Sequence, residues 1–253
     1  MSEKKSIREI EIELKSAGKN QAELLAFYEA DSRSGVQKLI EKYHRAQGKL
    51  VMERERLEQM WSYEKKYPDA AYICGIDEAG RGPLAGPVVA GAVILPRECE
   101  ILYLNDSKQL SARRRDALYD EIMGKALYVG VGMAGPGRID EINILQATYE
   151  AMREAIGNLG VRPDILLNDA VTIPGIDIPQ EAIIKGDAKS VSIAAASIIA
   201  KVTRDRLMTE YDQILPEYGF AAHKGYGSAK HIAALKEFGP TPIHRKTFIK
   251  NFI

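Results

Sequence analysis

From residue 71 onward the sequence predicts an α/β architecture, in which helices cover a sheet, and before that point it predicts helices alone. After residue 71, short apolar runs rich in Val, Ile and Ala alternate with longer stretches of helical periodicity, a pattern typical of sheet-and-helix layers. Before residue 71, apolar residues recur only at helical spacing. We therefore expect a helical extension over residues 1–70 and an α/β domain over residues 71–253 that ends in a helical segment.

The extension shows few features beyond its periodicity. Ile7, Ile10 and Leu14 are spaced as one face of a helix, and Ser34 with Gln37 has the spacing of a capping box that starts a second helix. A solvated helical arm without catalytic duty is the simplest interpretation. A role in contacting substrate or a partner stays open.

The α/β part is expected to contain five strands and four main helices. The strands are predicted at residues 71–76, 88–95, 126–133, 164–167 and 181–185. The helices are predicted at residues 112–125, 144–159, 190–215 and 228–238, with Ser111 as the N-cap of the first. In such layered folds, functional groups gather where strands end.

Composition excludes several classes of protein. Apolar residues make up 45% of the 253 residues and charged residues 28%, which is typical of a soluble globular chain. No apolar run reaches the roughly 18 residues of a membrane span, and the first residues lack a signal-peptide core. Cys74 and Cys99 form neither a disulfide framework nor a metal-ligand spacing. We expect a cytoplasmic monomer with no membrane partner.

The net charge is zero, but the charges are unevenly distributed. Residues 71–200 hold 12 basic and 17 acidic side chains, a net charge of −5, whereas residues 201–253 hold nine basic and five acidic ones, a net charge of +4. A cation site beside a polyanion-binding surface would produce this asymmetry. An uneven scatter of solvated charges explains it equally well.

Four carboxylates stand at the ends of three predicted strands: Asp77 and Glu78 after the first, Asp169 after the fourth, and Asp187 after the fifth. Strands that pair lie about 4.8 Å apart, so these side chains can converge if the three strands are neighbours. Crowded carboxylates need a counter-charge, and an oxygen-only ligand set favours Mg²⁺ or Mn²⁺ over zinc.

Other interpretations of these acids stay open at this point, because Asp is common in turns. Asp106 and Asp177 also lie in predicted turns, and the pattern alone does not exclude them. Asp205 lies inside a predicted helix between two arginines, which indicates a structural ion pair.

A phosphate group could be held beside the acids by the stretch Gly80, Arg81 and Gly82, because glycines allow close approach of backbone N–H groups and Arg81 adds positive charge. Two divalent cations beside a held phosphate are suited to phosphodiester hydrolysis. A nucleotide P-loop is excluded, since the Gly-Lys-Ser/Thr ending is missing and Pro83 and Pro87 lack N–H donors.

Six blocks of sequence resemble, in order, the ribonuclease HII family, the bacterial type 2 ribonucleases H. They are GIDEAGRGPLAGPV (75–88), LNDSKQLS (104–111), IDEINILQAT (139–148), IIKGDAKSVSIAAASIIAKVTRDR (183–206), YGFAAHKGYG (218–227) and HRKTF (244–248). The resemblance covers residues 71–253. It implies a ribonuclease H-like fold with a mixed five-stranded sheet. It also implies an endonuclease that uses two divalent cations, Mn²⁺ or Mg²⁺, to cut the RNA strand of RNA–DNA hybrids and duplex DNA 5′ to embedded ribonucleotides, leaving 3′-hydroxyl and 5′-phosphate ends.

The resemblance also implies roles for individual residues. The family's metal-binding acids fall on Asp77, Glu78, Asp169 and Asp187, the same four side chains that the strand pattern indicates. Its reader of the ribose 2′-hydroxyl falls on Gly80, Arg81 and Gly82, and its sugar-stacking ring falls on Tyr226. Such a pair can distinguish RNA from DNA.

Further residues are weaker candidates. Lys108 is expected to face the acids and contact phosphate, with a solvated loop lysine as the alternative. Ser107, Lys185, Lys189, His223 and Lys224 are candidates of the same kind, and Arg245 with Lys246 is expected to form a basic surface that tracks a nucleic-acid backbone.

The sequence departs from the family in two places. Ala170 follows the third acid where many relatives have glycine, and residues 1–70 are missing from the shortest members. The sister family, ribonuclease HIII, is the weaker match because it lacks the glycine–arginine–glycine stretch. Two other functions stay open: another nuclease of the same fold, such as a junction resolvase or integrase, and a non-catalytic hybrid-binding protein.

Overall fold

The computed structural model describes residues 5–253, which divide into two units with the boundary between Arg56 and Leu57. The helices are α1 (Ile7–Ser16), α2 (Gln21–Glu29), α3 (Ser34–Met60), α4 (Ala112–Lys125), α5 (Pro136–Gly157), α6 (Val191–Ile214), α7 (Phe220–His223), α8 (Ala229–Phe238) and α9 (Lys246–Ile249). The strands are β1 (Ile73–Ala79), β2 (Val88–Ile94), β3 (Tyr128–Ala134), β4 (Ile165–Asp169) and β5 (Gln180–Ile183).

The first unit is helical, as expected, but contains α2, which the sequence analysis did not predict. Ser6 caps α1 in a capping box with Glu9, and Ile10 and Leu14 are buried on the inner face of that helix. The predicted start of the second helix at Ser34 is correct. The side-chain amide of Gln37, however, donates to the carbonyl oxygens of Glu29, at the end of α2, and of Asp31, at 3.0 and 2.7 Å, instead of to a cap.

The sheet is mixed and has five strands in the order β3-β2-β1-β4-β5, which confirms the predicted fold class. β2 runs antiparallel to both β1 and β3, whereas β1, β4 and β5 run parallel to one another. Parallel neighbours present the same end of each strand to one edge of the sheet. The strands that carry the predicted acids are therefore adjacent.

Helices cover both faces of the sheet. Val93 of β2 packs with Ile198 of α6 on one face, and Ile94 packs with Met152 of α5 on the other, which follows from the alternation of side chains along a strand. Helix α6 lies unusually close to the sheet, because a Cβ built on Gly91 would stand 2.5 Å from the Ala196 carbonyl oxygen.

One predicted helix boundary differs from the structure for a local reason. The helix expected from residue 144 begins at Pro136, because a first segment that starts with proline joins the rest of the helix across Asn143, whose φ of 69° is not helical.

Within residues 5–253, none of the helices combines the length and apolar character needed to cross a bilayer.

Candidate active site

Three aspartates from three elements meet at one edge of the sheet. Asp77 lies in β1, Asp169 is the last residue of β4, and Asp187 lies in the 3-10 turn Gly186–Ala188 that follows β5. One carboxylate oxygen of each lies within 4.8 Å of those of the others. We call these three residues the acid cluster. The parallel pairing of β1, β4 and β5 produces the convergence that the sequence pattern predicts.

The strand positions of these acids differ in detail from the expectation. β1 continues to Ala79, so Asp77 and Glu78 lie inside the strand and not beyond its end. Consecutive side chains of a strand point to opposite faces, and Glu78 is outside the group of three whose oxygens lie within 4.8 Å. Burial raises the pKa of Glu78, and the charge of Asp169 adds to that rise, while the charges of Arg81 and Lys108 oppose it.

Burial and mutual repulsion make the acid cluster costly to ionise. Burial, together with the charges of Glu78 and Asp169, raises the pKa of Asp77 well above its usual range. Burial, followed by the charges of Asp169 and Asp106, raises the pKa of Asp187 to about 6. A divalent cation would remove this penalty, and three hard carboxylate oxygens fit Mg²⁺ or Mn²⁺. The donor set therefore fits the metals that the resemblance implies.

The turn that carries Asp187 is tied directly to Asp169. The Gly186 amide donates a hydrogen bond of 2.7 Å to Asp169 Oδ1, and Lys185 before it adopts the left-handed conformation, with φ 56°. Ala170 is also left-handed, with φ 54°, and its amide donates to the Ile183 carbonyl at 3.0 Å. This conformation suits glycine, the residue that the resemblance to the family implies at this position.

The loop after β1 is shaped by a glycine that no other residue could replace without strain. Gly80 has φ +93°, and a Cβ there would stand 2.0 Å from Nε of Arg204. The next residue of the loop, Arg81, is exposed, and its Nη1 lies 3.4 Å from Oε1 of Glu78. A side chain at Gly82 would begin 3.9 Å from Cε1 of Tyr226. Tyr226 is 45% exposed, as its flanking glycines predict.

Two buried arginines hold this loop from behind. Arg204 donates hydrogen bonds of 2.9, 2.9 and 3.0 Å to the carbonyls of residues 87, 224 and 85. Arg245 donates to the carbonyls of residues 86, 81 and 80 at 2.9, 2.8 and 2.5 Å. We call this pair the arginine frame. It joins the Gly80–Gly82 stretch to the segment before Tyr226, and so fixes the two predicted ribose-binding elements relative to each other.

The expectation that Arg245 belongs to a basic surface is wrong. Its side chain is 0% exposed, and its fork-shaped guanidinium is satisfied by the carbonyl dipoles of a loop more than 150 positions away in the sequence. Such partners leave no local signal in the sequence. Lys246 beside it is exposed, as expected.

Comparisons with known proteins place the chain in a family. The family model described as ribonuclease HII matches residues 74–251, and the model described as the ribonuclease HII N-terminal domain matches residues 6–68. The chain belongs to the ribonuclease HII family. Its members are metal-dependent endoribonucleases that cleave the RNA of RNA–DNA hybrids, and the N-terminal match confirms the assignment over ribonuclease HIII.

Individual relatives agree with this assignment. A ribonuclease HII from Lachnoclostridium phytofermentans is 69% identical over 88% of this chain and 88% of the relative. The crystal structure of ribonuclease H2 from Pyrococcus horikoshii superposes with a TM-score of 0.59 at 31% identity, over 70% of this chain and 93% of that one. The Bst-RNase HIII structure in complex with Mn²⁺, at 16% identity and TM-score 0.53 over 70% and 67% of the two chains, shows the shared fold.

Lys108 is exposed and lies in the field of the acids. Burial lowers the pKa of its ammonium group, but the carboxylates nearby raise that pKa by a larger amount, so it lies above the ordinary value. These carboxylates belong to Asp77, Asp106, Asp187 and Glu78. The loop around it is ordered by Asp106, whose Oδ1 accepts from the Lys108 amide at 2.9 Å. Asp106 is therefore engaged in building this loop.

The remaining candidates fall into two groups. His223 is engaged structurally, with Nε2 2.8 Å from the Tyr218 carbonyl oxygen, and the buried Ser107 accepts from Ser197 at 2.9 Å. Asp205 forms the predicted structural ion pair, 2.7 Å from Lys201. The second group lies on the surface and consists of Lys185 and Lys189. Asp177 is exposed in its turn and does not belong to the acid cluster.

Proposed function

We propose that this ribonuclease HII hydrolyses the phosphodiester on the 5′ side of a ribonucleotide. The substrates are RNA–DNA hybrids and duplex DNA with embedded ribonucleotides, and the products carry 3′-hydroxyl and 5′-phosphate ends. The observation that carries this proposal is the convergence of the acid cluster within 4.8 Å beside a glycine loop held from behind by buried arginines.

The acid cluster would hold the metal ions, with Glu78 completing the ligand set. When bound, two divalent cations supply an activated water and stabilise the leaving oxygen of the phosphodiester. Either Mg²⁺ or Mn²⁺ fits the carboxylate oxygens, and the Mn²⁺ in the related ribonuclease HIII structure supports manganese. Because protons compete for the same oxygens, the raised pKa of Asp187 makes metal binding dependent on pH.

Ribose recognition falls to the loop Gly80–Gly82 and to Tyr226. The arginine frame occupies the carbonyl groups of Gly80 and Arg81, so the loop is in place before a substrate arrives, and this preorganisation avoids an ordering cost on binding. The exposed ring of Tyr226 offers a face for a sugar beside that loop. A ribose hydroxyl and the adjoining deoxyribose would then be recognised together.

Positive charge is needed beside the acids, because carboxylates repel a phosphate backbone. Arg81 and Lys108 both lie in the field of the acid cluster or of Glu78. They would neutralise the phosphates on either side of the cleaved bond. Their contribution should weaken as salt concentration rises.

Three duplexes of one sequence test this proposal: a DNA duplex with a single ribonucleotide, the all-DNA duplex and an RNA–DNA hybrid. We expect a single cut 5′ to the ribonucleotide, cleavage of the hybrid, and none of the all-DNA duplex, all dependent on added Mn²⁺ or Mg²⁺. Sequencing-gel analysis of the labelled ends identifies the 3′-hydroxyl. Cleavage of the all-DNA duplex at a comparable rate would instead indicate a resolvase-like nuclease.

A further inference from the structure

A short segment that follows α3, Glu64–Tyr67, contacts both ends of the stretch that carries Asp187. We call it the brace segment. It lies within the residues matched by the N-terminal family model, 6–68, whereas its partners lie in the catalytic part, 74–251. The acid cluster itself contains no residue of the N-terminal match.

The first end is the start of α6, which is joined to Glu64. Glu64 is 2% exposed, and its Oε1 accepts hydrogen bonds from Ser190 Oγ at 2.6 Å and from the Ser192 amide at 3.0 Å. Ser190 is the N-cap of α6, and its amide donates to the Gly186 carbonyl at 2.8 Å. Only two bonded contacts thus separate Glu64 from the turn that carries Asp187.

The second end is β5, which is joined to the other residues of the brace segment. Glu181 in β5 accepts from Lys66 Nζ at 2.6 Å and from the Tyr67 hydroxyl at 2.7 Å. β5 pairs with β4 next to Asp169, with Asp169 opposite Ile183. The brace segment therefore fixes the chain on both sides of Asp187.

The turn between these ends has internal bonds, because the amides of Lys189 and Ser190 both donate to the Gly186 carbonyl, but it also holds strain. It includes the left-handed Lys185, a conformation that is disfavoured in residues with a side chain. The repulsion within the acid cluster also opposes a close position of Asp187. External anchors are the physical means of holding such a turn.

We propose that Glu64 and Tyr67 are positioning residues that hold Asp187 at the metal-binding position, so that the brace segment contributes to metal affinity. This inference rests on the proposed function, in which Asp187 is a metal ligand. Residues that orient ligands in this way typically change metal affinity by about 10- to 100-fold when lost.

The test measures Mn²⁺ binding to the full chain by electron paramagnetic resonance of free Mn²⁺, with thermal unfolding in chelator as a second readout. Glu64→Ala should weaken Mn²⁺ binding about tenfold. Glu64→Gln keeps an acceptor oxygen for Ser190 and should restore most of the affinity. Glu55→Ala is the matched control, since it removes an exposed acid of α3 that lies outside the brace segment, and it should leave Mn²⁺ affinity unchanged.

A double-mutant cycle with Asp187→Asn separates positioning from general destabilisation. Asp187→Asn should weaken Mn²⁺ binding, and adding Glu64→Ala to it should weaken binding no further. Two results would show that the positioning role is wrong while the proposed function stands. In the first, Glu64→Ala lowers the unfolding temperature without changing Mn²⁺ affinity. In the second, it lowers Mn²⁺ affinity equally in wild type and in Asp187→Asn. If Asp187→Asn itself leaves Mn²⁺ affinity unchanged, the metal-ligand role of Asp187 is wrong.

Tyr67→Phe keeps the proposal testable if Glu64→Ala does not fold. This variant removes a single hydroxyl, the donor to Glu181. We expect a two- to threefold loss of Mn²⁺ affinity that disappears in the Asp187→Asn background. Unchanged Mn²⁺ affinity in a folded Tyr67→Phe protein would overturn the positioning role at this end.

Discussion

The acid cluster and the arginine frame bury opposite charges beside the same loop, and the chain accommodates the two kinds of charge in different ways. Each guanidinium of the frame donates three hydrogen bonds to backbone carbonyls, so carbonyl dipoles balance its charge. The cluster is balanced only in part, by the Glu78 amide, which donates to Asp77 Oδ1 at 2.7 Å, and by the charge of Lys108. Asp169 accepts one bond from Gly186, while burial and neighbouring carboxylates raise the pKa of Asp77.

This difference separates what the fold requires from what the ligand requires. A buried charge whose partners are all protein groups supports the fold, because removing it leaves those partners unsatisfied. A buried charge that repels its neighbours lowers stability until a ligand arrives. The frame should therefore behave as a structural element and the cluster as a binding site, although both lie beside the same loop.

The largest expected effect is on cleavage and follows from Asp77→Asn. Cleavage of the single-ribonucleotide duplex should fall at least about 10³-fold, since a metal ion supplies several kcal/mol of transition-state stabilisation. Binding of the hybrid should change little. In chelator at pH 8, the free energy of unfolding should rise by about 1 kcal/mol, because a neutral amide replaces a repelled carboxylate.

Asp177→Asn is the matched control for this variant. Its side chain is fully exposed, and its ion pair with Arg162 spans 3.8 Å, so neither cleavage nor stability should change measurably. Equal cleavage by Asp77→Asn and wild type in Mn²⁺ or Mg²⁺ would contradict the nuclease site.

Arg245→Met is the corresponding change in the frame, and its main effect should be on stability. Three buried carbonyls lose their donor, so the free energy of unfolding should fall by about 3–5 kcal/mol in urea denaturation. The stability of Arg245→Lys should lie between those of wild type and Arg245→Met, because lysine keeps the charge but lacks the forked set of donors of the guanidinium. Lys246→Met, at an exposed neighbour, is the control. A loss below about 1 kcal/mol for Arg245→Met would remove the distinction between the two regions.

These two regions also differ in how far the sequence predicts them. The acids were predictable because Asp77, Asp169 and Asp187 each follow an apolar run of sequence, and parallel strands bring such positions together. Arg245 was misplaced on the surface, because its partners are carbonyl groups of a distant loop and carbonyl groups carry no residue identity. Sequence patterns report side-chain chemistry, whereas the frame depends on tertiary contacts with the backbone.

The fold shows the same limit on a smaller scale. The strand count was predictable from apolar periodicity, whereas the mixed sheet was implied by the resemblance to the family. The early part of α5 was not, because Asn143 interrupts the helical pattern, and α2 in the extension was missed. The inclusion of Asp77 within β1 depends on its pairing with Gly91 of β2, and pairing extends the strand beyond its apolar run.

Gly80→Ala tests the loop between the two regions. Its φ of +93° and the 2.0 Å approach to Arg204 leave no room for a methyl group, so we expect a loss of about 2–3 kcal/mol in unfolding free energy together with slower cleavage. At Gly82 the nearest atom to a Cβ is 3.9 Å away. Gly82→Ala should therefore keep wild-type stability within about 0.5 kcal/mol. Equal stability losses for the two variants would refute the strain assigned to residue 80.

The pH dependence of stability should distinguish the acid cluster in metal-free protein. The pKa of Asp187 is raised from 3.8 to about 6, so the folded state holds this proton more tightly than the unfolded state does. Its contribution to stability is complete below pH 3.8 and is lost as pH rises to about 6. After allowance for solvent screening, we expect a loss of about 1–2 kcal/mol across this window.

The measurement is the difference in unfolding free energy between wild type and Asp187→Asn, in chelator, from pH 4 to pH 8. The difference removes the opposite contribution of acids whose pKa is lowered, such as Asp140. Mn²⁺ affinity should rise over the same window, because metal replaces the proton. A flat difference curve would show that Asp187 is not perturbed by the cluster.

The smallest expected effect comes from Ala170→Gly, which changes a backbone conformation without touching a charge. Ala170 has φ 54°, and a left-handed alanine costs about 1–2 kcal/mol, which glycine would relieve. The greater freedom of glycine in the unfolded chain cancels about 0.4–1 kcal/mol of this stabilisation. We expect stability to rise by about 0.5 kcal/mol, with cleavage and Mn²⁺ affinity unchanged, because the Ala170 amide still bonds to the Ile183 carbonyl. Ala188→Gly, in the neighbouring 3-10 turn, is the matched control and should lower stability instead. If Ala170→Gly also lowered stability, the backbone next to Asp169 would not be a source of strain, and the cost of assembling the acid cluster would lie in its charges alone.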